Sequence, residues 1–283
     1  MSTSLQRTYR NLRVAIAGTV VVIFVSVAVT VGTVGVLPSI SAYYYTPARD
    51  AFVGALVAAA VAILVLSGRG IQRALLDAAA LFAPLVALVP TPLVPGVVPG
   101  FEHACPGPGA CVPASALADI DAGVATYLIV GALTLVVSTT VTIAAGGDSF
   151  RRAASSLAVA TVVLVVVAVA WLFFHDVFVA TAHLAAAVAF FGLVAVVAVA
   201  NAFNPAPGAM PLRWRVATYW VIAIAMTVDI VVLVAVVAAG GASGTTPPPV
   251  LVGEAIALLL FAVFWVVQSV EKWDDPDPTL IAI

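Results

Sequence analysis

VAIAGTVVVIFVSVAVTVGTVGV, Val14 to Val36, runs for 23 residues without one charged side chain. A helix crossing the hydrocarbon core of a bilayer needs about 20 mostly apolar residues, within a range of about 17–25. The run is too long for the h-region of a secretory signal, about 7–15 residues, so it reads as an uncleaved first span despite the basic start at Arg7, Arg10 and Arg13.

Outward from that stretch the same texture repeats. Seven more charge-poor apolar runs follow, near 50–67, 74–92, 121–145, 154–174, 178–200, 214–239 and 250–270. Polar, Gly-rich or Pro-rich breaks such as SGRGIQR, GGDSFRR and GGASGTTPPP separate most of them. The expected fold is all-α: one polytopic transmembrane bundle of about eight helices over 1–283, with an outer loop at 93–120. The third run carries Pro84, Pro90 and Pro92, and the fifth and sixth are parted only around His175-Asp176.

Composition agrees. Charged residues are 8% of the 283 and hydrophobic residues 64%. Soluble domains are about 25% charged. So few charges cannot cover a water-facing surface, so the bilayer is the expected partner. A net charge of -2 shows no basic field for nucleic acid.

Basic residues orient the bundle. Eight spans with an inner N-terminus put 1–13, 68–73, 146–153, 201–213 and 271–283 inside. Those segments and their helix edges hold Arg7, Arg10, Arg13, Arg69, Arg73, Arg151, Arg152, Arg213, Arg215 and Lys272, ten of the eleven basic residues. Only Arg49 falls outside. The positive-inside rule favours this asymmetry, and hydropathy did not use it. Both termini are therefore expected in the cytoplasm, and a multi-pass protein of the plasma membrane follows.

Acidic residues and histidines collect on the other side. Asp50, Glu102, Asp119, Asp121, Asp176 and Glu254 sit in outer loops or first helical turns, as do His103, His175 and His183. Cys105 and Cys111, in CPGPGAC, lie in the outer loop, where an oxidising exterior favours a disulfide.

Ionisable residues within spans are costly, about 2.5–3.5 kcal/mol at helix centre, and so become candidates. Asp229 is the clearest, in IAIAMTVDIVVLVAV. Glu254, Leu258, Phe261, Trp265 and Gln268 follow helical spacing and share one face of the last span. Asp50, at a helix start, suits a dipole or capping role. Tyr43, Tyr44 and Tyr45 suit an interfacial belt. Asp50, His183 and Glu254 are expected at one outer depth, with His175 and Asp176 at the mouth. Two imidazoles and carboxylates could bind zinc, although no helix carries an HxxxH or HExxH pair. Nucleophile elbow, P-loop and dinucleotide signatures are missing from the sequence.

SISAYYYTPARDAFVGAL (Ser39–Leu56), HLAAAVAFFG (His183–Gly192) and EAIALLLFAVFWVVQ (Glu254–Gln268) resemble motifs in a group of uncharacterised bacterial multi-pass membrane proteins loosely similar to the DRAM/Frag-type family. The resemblance implies importance for Arg49, Asp50, His183 and Glu254. A His follows the paired tyrosines in that group; Tyr45 stands there in this chain. A fainter similarity is to the ceramidase and adiponectin-receptor superfamily, onto whose Ser, Asp and His zinc set Ser41, Asp50, His175 and His183 would fall.

Three functional expectations follow. The first is a non-enzymatic protein with an outward-facing polar pocket for a lipid headgroup or small solute. Arg49 would hold an anionic group, with Tyr45, Asp50, His183 and Glu254 around it. The second is a zinc-dependent lipid amide or ester hydrolase using His175, His183 and a carboxylate such as Asp176. The third is a proton-coupled transporter using Asp229.

Overall fold

A computed structural model describes residues 4–107, 109–205, 210–240 and 246–275. Its eight α-helices are α1 (Ser4–Val34), α2 (Arg49–Val65), α3 (Gly70–Leu88), α4 (Ala114–Ala144), α5 (Gly147–Phe173), α6 (His175–Phe203), α7 (Leu212–Ala238) and α8 (Pro249–Glu271). A single 3₁₀ turn, Ser41–Tyr45, stands between α1 and α2. Seven of the helices are long and apolar enough to cross a membrane. The remaining one, α2, has 17 residues, at the lower edge of the spanning range. The chain is a multi-pass membrane protein.

Several helix ends differ from the hydropathy boundaries, for local reasons. The first helix begins at Ser4 rather than near 14, because backbone hydrogen bonding continues beyond the apolar stretch. It stops where Gly35 takes φ +81° and its N–H reaches the Val31 carbonyl, the usual glycine termination. The third ends at Leu88 instead of running to 92, since Val89 precedes Pro90, and a residue before proline is steered away from helical geometry. The fourth starts at Ala114, directly after Pro113, which carries Asp119 and Asp121 into its second turn.

The contacts between helices close a ring. Around it α1 packs on α2, α2 on α3, α3 on α6, α6 on α7, α7 on α8, and α8 returns to α1. Helices α6 and α8 also touch across the ring. The α4–α5 hairpin stands outside it, with α5 against α3 and α6 and α4 against α5 and α3. Gly131 lets α4 and α5 approach closely, since a Cβ there would sit 2.7 Å from a methyl of Leu164. Only Ala116, Ile120 and Val124 of α4 are buried, all in its outer third. Its bare apolar side chains, among them Leu133 and Val137, are placed for hydrocarbon.

A small second core covers the end of the ring opposite the N-terminus, the outer end in the expected orientation. Leu37, Ala42, Tyr43, Ala48, Leu93 and Val98 are buried together, with Phe101 and Tyr45 against them. The loop is held by paired backbone hydrogen bonds between Leu93 and Cys111 and by a disulfide between Cys105 and Cys111. The three tyrosines are thus mostly packing residues, not a belt. Tyr43 is fully buried, donating to the Gly35 carbonyl and accepting from the Leu37 N–H.

Candidate functional site

Beneath that cover lies a pocket of about 50 Å³ inside the ring. One water needs about 10–15 Å³ by this measure, so the space suits a few waters or a slim alkyl segment. Its walls come from the outer halves of four helices: Phe52 and Leu56 on α2, Ala83 and Val86 on α3, Ala187, Phe190 and Phe191 on α6, and Leu258 on α8. Ile40 closes it from the turn. Three polar side chains reach it, Ser41, His183 and Glu254.

These three are fixed by backbone and by one another. Glu254 Oε1 accepts from the Ser41 hydroxyl at 2.7 Å, and Oε2 accepts from the Ser41 N–H at 3.1 Å. The 3₁₀ turn is what points that N–H and hydroxyl at α8. His183 Nδ1 lies 2.8 Å from the Val89 carbonyl. A carbonyl can only accept, so the imidazole proton sits on Nδ1 and Nε2 keeps its lone pair. Glu254 and His183 thus border a pocket whose exposed wall is almost wholly apolar.

Arg49, Asp50 and Tyr45 are not part of this pocket. The Arg49 guanidinium turns outward, donating to Asp119 Oδ2 and to the Tyr44 hydroxyl, each at 2.8 Å. Asp50 is exposed in the first turn of α2. Tyr45 donates to the Thr91 carbonyl at 2.9 Å and packs edge-on against Tyr44 and Phe101. Burial pushes the Tyr44 and Tyr45 phenols above the ordinary tyrosine range.

The expected metal set is dispersed. His175 Nε2 sits 2.9 Å from Asp121 Oδ1, which also accepts from Trp171 Nε1 at 2.8 Å. His183 is eight residues further along α6, about 12 Å of helix rise, too far to share one ion. Asp176 is fully exposed beside His175, with 3.9 Å between them. Among the described residues no group of three or more His, Cys, Asp or Glu side chains could hold a metal.

Asp229 faces inward on α7, in a buried stripe with Tyr219, Ile222 and Met226. Its Oδ2 is buried without a hydrogen-bond partner among the described residues. The neighbouring Thr227 hydroxyl is spent on the Ala223 carbonyl. Asp77, at the inner end of α3, is met by Arg73 at 3.5 Å and by the Ser156 hydroxyl of α5.

The inner end of the ring holds a second polar group that hydropathy obscured. Arg215 on α7 pairs with Glu271 on α8, Nε to Oε1 at 3.6 Å, with both side chains almost wholly buried. The Tyr219 hydroxyl donates to Glu271 Oε2 at 3.3 Å, and Asn201 of α6 lies beside that hydroxyl. Arg13 of α1 is 1% exposed and donates through Nη1 to the Lys272 carbonyl at 2.8 Å. Arg13 and Arg215 had counted only as inner-side charges. In the structure Arg13 continues the buried face of Ile16, Val20 and Ile23, and Arg215 that of Tyr219, Ile222 and Met226, faces that spacing alone does not single out because their flanks are apolar too.

No protein-family model, curated protein or solved structure matches this chain.

Proposed function

We propose that this protein of the cell membrane binds an amphiphile from the outer leaflet, with the apolar end in the ring pocket and the polar end on Glu254 and His183. One observation carries the reading: an apolar slot bordered by Glu254, held by Ser41, and by His183, held by Val89, which with the imidazole neutral are two acceptors. Two acceptors select a donor, so the favoured polar end is a hydroxyl or an ammonium group. The occupant is then recognised through its chain and a donor head, and Arg49 serves the outer cover instead of gripping an anion.

Melting temperature of the full chain in detergent tests this with three amphiphiles of equal chain length, an alcohol, an amine and a carboxylate. The alcohol and amine should raise it and the carboxylate should not. Ala187→Leu, which fills the slot, should abolish the rise, and Glu254→Gln should weaken the preference for the amine. Equal stabilisation by the carboxylate, or full retention in Ala187→Leu, would remove the reading.

A second reading, proton-coupled transport through Asp229, is favoured by that residue's buried and unpartnered carboxyl oxygen. In proteoliposomes loaded with a pH-sensitive dye, an added amine amphiphile should move protons with the parent chain and not with Asp229→Asn. Equal dye responses from the two would end it.

A further inference from the structure

The inner end of the ring has more unpartnered donors than acceptors: the acceptor there is Glu271 Oε1, which lies 3.6 Å from Arg215 Nε. Four buried donors have no hydrogen-bond partner among the described residues: Arg13 Nη2, Asn201 Nδ2, Gln268 Nε2 and Trp265 Nε1. Each belongs to a side chain at most 2% exposed. Their placement is local. Trp265 and Gln268 are one turn apart on α8. Arg13 bonds the Lys272 carbonyl, one turn beyond Gln268, and Asn201 adjoins Tyr219, which bonds Glu271.

Arg13 sharpens the point. A buried guanidinium is normally compensated by a carboxylate, because an uncompensated buried charge is strongly unfavourable. No carboxylate among the described residues forms an ion pair with Arg13; its one protein acceptor is a neutral carbonyl. Asp275 is within electrostatic reach, but it holds the Lys272 ammonium at 2.8 Å. Glu271 is engaged by Arg215 and Tyr219. An enclosed cation with neutral, unpartnered N–H donors on the helices packed beside it has the chemistry of an oxyanion site.

We infer that the inner end of the helix ring binds a small oxyanion, a carboxylate or phosphate group, through Arg13, Gln268, Asn201 and Trp265. The group is either a free anion from the inner aqueous phase or the phosphate of an inner-leaflet lipid. This site does not depend on the outer pocket or on its occupant.

The test is the melting temperature of the full chain in neutral detergent with inorganic phosphate, acetate or chloride at matched ionic strength. Phosphate or acetate should give a saturable rise that chloride does not. Arg13→Gln and Gln268→Leu should each weaken the apparent affinity about tenfold or more, as expected for a hydrogen bond to a charged group. Gln268→Leu replaces an unpaired buried amide by an apolar side chain of similar size, so it should fold at least as stably as the parent without anion. That variant keeps the test decisive if Arg13→Gln fails to fold. Nanodiscs with and without phosphatidylglycerol, free of added oxyanion, separate the sources. A rise that needs both Arg13 and Gln268 assigns a lipid phosphate, whereas an oxyanion rise in detergent alone assigns a free anion. Ala187→Leu should leave every inner-site response unchanged. No oxyanion response in either setting, the pattern of a site filled by water, would overturn the inference. So would an equal response to chloride, or one retained by Gln268→Leu.

Discussion

The two ends of the six-helix ring bury polar side chains in opposite ways. At the outer end a carboxylate and an imidazole are held by Ser41 of the 3₁₀ turn and by the Val89 carbonyl, at the border of an almost wholly apolar pocket. At the inner end an ion pair and a second arginine lie among amides and an indole, and what remains unpartnered is mostly donors, with Glu271 Oε1 as an acceptor. Between them the aromatic side chains of Phe190, Phe261 and Trp265 form a chain of ring contacts. The difference teaches that the ring is chemically directional: the polar groups of the outer end are held by their neighbours, whereas the inner end keeps several unpartnered groups, most of them donors. It also separates the charges built into the ring from those at its edge, such as Arg49.

Substitutions test that contrast, and the largest effect is expected inside. Glu271→Leu strips Arg215 of its ion-pair carboxylate in a buried site. It should cost about 3–5 kcal/mol of unfolding free energy in mixed micelles. A loss below about 1 kcal/mol would mean that water reaches the inner end, and the contrast would fail. Glu254→Leu at the outer end leaves the Ser41 N–H and hydroxyl without their acceptor and should cost about 1–3 kcal/mol, with Glu254→Gln recovering part. If Glu254→Gln were as damaging as Glu254→Leu, charge and not hydrogen bonding would hold the turn. Replacing both Cys105 and Cys111 by Ser opens a short loop in the outer cover. The expected loss is about 2 kcal/mol on the chain-entropy model, read from the same denaturation under non-reducing conditions.

The smallest effect belongs to Arg49→Ala. Its partner Asp119 is 56% exposed and Arg49 itself 38%, so the pair is worth about 0–1 kcal/mol. A loss above about 2 kcal/mol would place Arg49 among the buried charges and blur the distinction between ring and edge.

Much of the architecture was legible before any coordinates. The charge-free run from Val14 to Val36 and its seven successors announce spans because every charge placed in hydrocarbon has a local cost, independent of partners. The expected sidedness of Arg69, Arg151 and Arg213 rests on an equally local rule. Of Asp50, His183 and Glu254, expected at one outer depth, His183 and Glu254 border one pocket and Asp50 does not, while the α8 stripe from Glu254 to Gln268 could be read from spacing alone.

What the tertiary structure decided is which helices form the ring and which faces turn inward. A soluble helix reports its buried face by being apolar only there. In lipid both faces are apolar, so the pattern is silent: α4 and α6 read alike, yet α4 lies outside the ring and α6 lines it. The same silence hid Arg13 and Arg215, whose positions at span ends suit surface charges as well as buried ones. Only pairing across more than two hundred residues, Arg13 with Lys272 and Ser41 with Glu254, turned isolated polar residues into two sites. Such long-range pairings depend on packing geometry, which no local stretch of sequence encodes.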